Sequence, residues 1–293
     1  MQKASLTKAS KRLYTYKFLL PAGIIYFVLF LLPTIMSFFF SMTRWDLVEW
    51  DFIGFDNYKT FFSESSLNIG FRNTLIYAVV TCGLKVILGL LLGVALTSGL
   101  RIKGYLRSVV FFPTLLSTIA VGIAFSSMMH PSQGLINKSL ALAGIVGPDW
   151  LGDTSIALLS VAFVDVWKGV GMATVIFIAG IMSIPEDYYE ALQIDGGNAW
   201  DRFWHITNPL VAPAMNSVII LSFIGGLRSF DLVWAMTKGG PGFSTDLIAS
   251  IIYKQYQGGF YGLSTAGNVI LFIGVSLLAF PLLKLLSKRE VDL

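Results

Sequence analysis

Residues 155–182 read SIALLSVAFVDVWKGVGMATVIFIAGIM, and residues 183–208 continue SIPEDYYEALQIDGGNAWDRFWHITN. A bilayer core takes roughly 20 apolar residues in helix. The first run exceeds that, and Asp165 and Lys168 are its only charged residues. The second run sets Glu186, Asp187, Glu190, Asp195 and Asp201 against a single Arg202. Pro185 suits a helix start, and Glu186 and Asp187 suit the positive end of a helix dipole. A helix over 186–194 is predicted to end at Gly196-Gly197, since glycine reaches the left-handed conformation at little cost. A second helical stretch, 199–207, is predicted to stop before Pro209, because proline disfavours helix in the residue before it. The two runs together predict a membrane span leading into a helix, a turn and a second helix at the membrane surface. An ordinary glycine-capped loop fits the composition of 183–208 equally well.

The rest of the 293-residue chain has the same character: 55% hydrophobic residues, 13% charged and a mean hydropathy of +0.72. A typical globular domain has about 25% charged residues, so a soluble protein is a poor fit. Six stretches qualify as spans, at 18–42, 73–98, 108–129, 155–182, 209–233 and 265–287. The first is too long for a signal-peptide core and lacks a small-residue cleavage site after it, so it is expected to stay in the mature protein. Pro21 and Pro33 within it are tolerable where neighbours re-satisfy the freed carbonyls. The expected fold is all-α and polytopic, with a six-span domain over 18–287 and cytoplasmic tails over 1–17 and 288–293.

Orientation follows from the bases. Lys3, Lys8, Lys11, Arg12 and Lys17 crowd the first tail without an acid, Arg101, Lys103 and Arg107 do the same in the second loop, and Lys288 and Arg289 follow the last span. Alternate loops are poorer in bases, which places both termini in the cytoplasm. By parity the loop at about 183–208 is cytoplasmic as well. Acids count little in that rule, but this acidity marks an element built to meet another protein.

Several function classes drop out. A net charge of +4 reflects a few surplus bases, not a nucleic-acid-binding surface. A single cysteine, Cys82, allows no internal disulfide framework, and His130 and His205 stand far apart with no HExxH. The glycine-rich segment 238–244 lacks the Gly-Lys-Ser/Thr end that cradles phosphates. No catalytic group, no metal and no cofactor bound by this chain are expected.

The run Glu190-Ala191-Leu192-Gln193-Ile194-Asp195-Gly196-Gly197, followed by Ile206-Thr207-Asn208-Pro209, resembles the EAA loop of ABC-importer permeases. Glu190, Ala191, Gly196, Ile206 and Pro209 match that pattern in identity and spacing. Leu192 departs from it, where the family usually has a small residue, as do Gly197, usually Ala, and Asn208, usually Leu. Leu20-Pro21-Ala22, the run from Phe52 to Tyr58, Phe71-Arg72-Asn73-Thr74, Trp150-Leu151-Gly152-Asp153, Val166-Trp167-Lys168-Gly169, Phe230-Asp231-Leu232 and Gly239-Gly240-Pro241 look like the carbohydrate-uptake branch, of the MalF and UgpA type. The resemblance spans about 18–287. It implies the shorter six-span form, without the extra N-terminal spans and large periplasmic domain of the maltose permease.

That resemblance implies a permease subunit of an ATP-driven, binding-protein-dependent importer working by alternating access. Its implied partners are a second homologous permease, two ATPase subunits that use ATP and Mg, an extracytoplasmic sugar-binding protein and membrane lipid, with no nucleic acid. The implied cargo is a sugar. An oligosaccharide is preferred over glycerol 3-phosphate because the spans carry few cations. Glu190, Ala191, Asp195 and Gly196 are the implied ATPase-coupling residues. An ion-coupled secondary carrier remains the alternative, and would need an ionisable relay among Lys85, Asp165, Lys168, Arg228 and Asp231. A membrane-embedded enzyme would need a His, Asp or Cys cluster that the sequence lacks.

Candidate substrate-path residues come from spacing. Asp165, Lys168, Gly169 and Met172 share one face of the fourth span at i, i+3, i+4, i+7, and Ser222, Gly225, Gly226 and Ser229 do so on the fifth. These faces coincide with the sugar-lining positions implied by the resemblance. The plainer reading pairs Asp165 with Lys168, and Arg228 with Asp231, as mutually neutralising charges or an outer gate. Lys85, mid-way along the second span, either pairs with Asp165 or snorkels, and the sequence leaves both open. Gly89, Gly93 and Ala95 are expected to serve helix packing.

Overall fold

The computed structural model describes residues 16–99 and 101–288. The tail bases Lys3, Lys8, Lys11, Arg12 and Arg289 lie outside the described residues. The chain divides into two compact units, one of Met1–Phe61 with Gln255–Val269, the other of Phe62–Lys254 with Ile270–Leu293.

In the first unit, α1 (Leu20–Phe40) is long and apolar enough to cross a membrane and has no buried residue in its apolar window. A π turn at Phe27–Leu31 precedes Pro33, so that the Leu32 amide donates to Phe27 O and the ladder changes register before the proline's missing N–H. A short antiparallel hairpin follows, β1 (Thr43–Trp45) with β2 (Trp50–Phe52), in register Thr43 to Phe52. Then comes α2 (Asp56–Ser63). Its Asn57 donates from Nδ2 to Ser41 O at 2.9 Å and Thr43 O at 2.8 Å, tying the helix to the hairpin.

The second unit is built on α3 (Ser65–Thr97), which packs along α7 (Ala157–Met182) and α10 (Ala212–Leu227). Gly89 and Gly93 give the close approach: a Cβ on them would stand 2.8 Å from the Ala173 Cβ and 2.9 Å from the Phe177 Cβ. Ala95 is exposed and takes no part in that seam. Tyr77, Val161, Val164, Leu232, Val233 and Leu247 form the core at one end.

Two expected spans are broken. The third consists of α4 (Lys103–Phe111), continued as a 3₁₀ turn to Leu115, and α5 (Thr118–Met128), bent by 97° between them. Pro113 removes an amide from the ladder, and Leu116 is extended. The fifth expected span ends at Leu227, short of 233; the chain unwinds over Arg228–Phe230 and re-enters helix as α11 (Asp231–Met236). Phe230 packs there on Trp234 and Tyr253, with ring centroids 5.6 and 5.0 Å apart. The second and sixth spans start earlier than expected, at Ser65 and at Tyr261 in the last helix. Among the described residues four helices are long and apolar enough to cross a membrane, and the number rises to six when Lys103–Leu115 with Thr118–Met128, and Ala199–Leu210 with Ala212–Leu227, each count as one bent span.

Motif residues far apart in sequence act as backbone clamps. Asn73 donates to Ser244 O (2.9 Å) and Asp246 O (3.1 Å), and the Thr74 hydroxyl accepts from the Ile248 amide, joining Phe71–Thr74 to the segment after Gly239-Gly240-Pro241. Asp246, fully buried, accepts from Ser250 and from Lys254 Nζ at 2.6 Å. α6 (Leu135–Leu142) carries Asn137, which donates to Pro131 O and Pro148 O and accepts from Trp150 Nε1 at 2.7 Å. Beside it the Ser155 hydroxyl and amide hold the Asp153 carboxyl below the ordinary carboxylate range.

Candidate functional site

The loop after α7 folds as helix, turn and helix. The first helix, α8 (Glu186–Ile194), follows Pro185 and has Glu186 and Asp187 in its first turn, where the helix dipole favours acids. It ends in a complete Schellman turn: Gly196 N donates to Gln193 O at 3.1 Å and Gly197 N to Leu192 O at 2.9 Å. Gly196 takes φ +77°, and nothing lies within 4 Å of where its Cβ would be, so its need for glycine is conformational alone.

The second helix, α9 (Ala199–Leu210), is capped by Asn198. Its Oδ1 accepts from the Trp200 and Asp201 amides while Asp201 Oδ2 accepts from the Asn198 amide. Asp195 is the exposed C-cap of α8. The Asn-x-x-Asp spacing is a capping-box signal that the sequence carries. α9 also passes the expected stop at Pro209. Residues Arg202–Thr207 form a π turn, in which the Asn208 amide donates to Phe203 O, and the register shift absorbs the missing N–H. The break falls later, at Val211, with a 66° bend into α10.

Tyr189 holds the two helices together. Its hydroxyl lies 3.2 Å from the Thr207 hydroxyl, the Arg202 guanidinium sits 4.1 Å above its ring, and it packs with Ile184 and Ile206. Glu190, Ala191, Gln193, Ile194 and Asp195 face outward. Phe203 packs inward, whereas Trp200 is 69% exposed and stacks edge-on to Trp204. Between Val94, Ser98, Met182, Glu186 and Arg202 lies a cleft of about 370 Å³.

Within the spans, Asp165 does not pair with Lys168. Lys85, mid-way along α3, donates to Asp165 Oδ2 at 2.6 Å, with side-chain exposures of 12% and 24%. Gly169 leaves room for it: a Cβ there would stand 2.7 Å from Lys85 Cε. Lys168 is half-buried and has no ion pair among the described residues, and Met172 is 47% exposed. A lysine placed mid-span is itself a signal that an acid faces it.

The fifth-span residues part company. Gly225 is open to its surroundings, whereas Gly226 is buried against α3, where a Cβ would stand 2.6 Å from Ala78 Cα. Ser222 is half-buried within α10 and Ser229 lies beyond its end. Arg228 and Asp231 form no ion pair among the described residues, because the helix unwinds between them.

The sequence profile of the binding-protein-dependent transport system inner membrane component matches residues 85–291. The chain belongs to this family. This permease is 33% identical over 261 residues to the trehalose/maltose transport system permease protein MalF of Thermococcus litoralis, covering 88% of each chain. It is 28% identical over 290 residues to the multiple sugar-binding transport system permease protein MsmF of Streptococcus mutans, covering 98% of this chain and 100% of that one. The permease also superposes with a TM-score of 0.82 on a chain of a bacterial ABC transporter involved in the import of the acidic polysaccharide alginate. That chain is 21% identical, and the match covers 98% of the permease and 99% of its counterpart. The permease is thus a multi-pass inner-membrane protein with the fold of type I ABC-importer permeases, helical as expected apart from the short β1–β2 hairpin.

Proposed function

We propose that this permease moves a sugar, by preference a neutral oligosaccharide, into the cell, coupled to ATP hydrolysis on a separate ATPase subunit. A second homologous permease completes the membrane path, and an extracytoplasmic binding protein delivers the cargo. ATP and Mg belong to the ATPase; this chain binds no cofactor. The loop Ser183–Asn208 and both termini face the cytoplasm. The helix α8 docks on the ATPase through the outward Glu190, Ala191 and Asp195, with Gly196 aiming α9 away from it.

The observation that carries this reading is α8 itself, an acid-rich helix ending in a Schellman turn and offering a row of outward side chains that no described residue covers. Sugars named for the curated relatives support the cargo class. The substrate path runs over the face of α7 bearing Asp165, Lys168, Gly169 and Met172 and over Ser222 and Gly225 of α10, with Ser229 at its outer end. Gly226 contributes by seating α10 against α3.

The test is reconstitution of the permease pair with its ATPase and binding protein in proteoliposomes. The reading requires sugar accumulation that depends on ATP and on the binding protein. Uptake driven by an ion gradient without the ATPase would overturn it in favour of a secondary carrier.

A further inference from the structure

We propose that Lys85 is a positioning residue for solute recognition, fixing one oxygen of Asp165 so that the other is a single aimed acceptor for a sugar hydroxyl. This rests on the reading that the Asp165 face of α7 lines the path.

The geometry is one-sided. Lys85 Nζ holds Asp165 Oδ2 at 2.6 Å, while Oδ1 accepts no hydrogen bond among the described residues and is not sealed from its surroundings. The ammonium is kept there from three directions. Its stem lies against Gly169, where any Cβ would displace Cε and Nζ. The close seam of Gly89 with Ala173 and Gly93 with Phe177 holds α3 to α7 just beyond it. On the other side the helix is fixed by Gly226 of α10 against Ala78 and Thr81.

A carboxylate without a partner at this depth is costly, and the Lys85 ammonium offsets that cost. A carboxylate held at one oxygen cannot turn freely, so its remaining lone pairs have a direction. Binding groups locked by supporting hydrogen bonds discriminate better than free ones. The pair is neutral as a whole, so it favours a hydroxyl donor over a cation. Lys168, one turn further and without an ion pair among the described residues, supplies a donor for a neighbouring hydroxyl. An acceptor and a donor on one face suit an uncharged polyol.

A purely structural ion pair would behave differently when altered. The intact transporter in proteoliposomes is offered radiolabelled maltose, trehalose, raffinose and maltotriose at saturating binding protein, and the sugar the parent accumulates fastest is the probe. The readout is sugar moved per ATP hydrolysed, which a loss of folded complex does not change. Lys85→Arg should keep this ratio. The charge swap Lys85→Asp/Asp165→Lys, and the neutral pair Lys85→Met/Asp165→Asn should Lys85→Met alone fail to assemble, should lower it about tenfold, the scale of one lost hydrogen bond to a charged group. A parent-level ratio in the swap or the neutral pair overturns the positioning role. A parent-level ratio in Lys85→Met/Asp165→Leu removes Asp165 from the path and overturns the reading beneath the proposal. A parent that accumulates none of the four sugars overturns the cargo class and the proposal with it.

Discussion

Leu192 occupies the space that a methyl group on Gly197 would need: a Cβ there would stand 2.5 Å from both Cγ and Cδ1 of Leu192. Leu192 packs against the Ile184, Tyr189 and Ile206 cluster, which limits how far it can yield. The two departures from the family pattern in this loop are therefore one arrangement. The larger side chain at 192 is compatible with the turn because residue 197 has none. Gly197→Ala should loosen the α8–α9 unit, with a cost of about 1–3 kcal/mol as for other overpacked sites. ATPase co-purification should weaken, and Leu192→Ala added to Gly197→Ala should restore it. Equal co-purification of the parent and Gly197→Ala would show that the contact does not matter.

Gly196 tests the turn without any steric neighbour. Gly196→Val places a β-branched residue at φ +77°, a conformation costing roughly 1–3 kcal/mol. The expected result is lost stimulation of ATP hydrolysis by loaded binding protein, with the spans intact by circular dichroism. Gly196→Asn, which tolerates the left-handed region better, should fall between parent and Gly196→Val.

Gly225 and Gly226, adjacent in sequence, should respond in opposite ways. Gly226→Leu wedges α10 off Ala78 and should lower the yield of folded permease. Gly225→Leu enters open space and should leave yield and ATPase association at parent level while reducing sugar uptake. Uptake by Gly225→Leu at the parent rate per folded complex would remove this residue from the path.

Asn73 donates to the carbonyls of Ser244 and Asp246, the second of these bonds buried. Asn73→Leu leaves both without their donor, and each unsatisfied buried group costs about 1–3 kcal/mol. The thermal midpoint of the detergent-solubilised permease should fall clearly, whereas Lys238→Ala, at an exposed position nearby, should not change it.

Orientation can be read by labelling. Cys82 is buried, so an introduced thiol dominates the signal. A cysteine at Gly242 should react with an impermeant reagent in intact cells. One at Gln193 on α8 should react only after permeabilisation. The reverse pattern would invert the topology.

The membrane class, the six apolar stretches and the α8 turn were legible along the chain because each rests on local physics. Span length is set by the bilayer, helix ends by dipole and capping, and the turn by what only glycine adopts readily. Local rules misjudged Pro209 and the third span for the same reason. A missing amide can be absorbed by a π turn, as before Pro209, or can bend the chain, as at Pro113, and the surrounding packing selects which. The partner of Asp165 was likewise a tertiary matter. Lys168 is near in sequence, but Lys85, eighty positions away, is the residue that the α3–α7 seam brings within 2.6 Å. The division of Gly225 from Gly226 has the same origin. The sequence places them side by side, and only the packing of α3 on one side of α10 makes one a seam residue and leaves the other open.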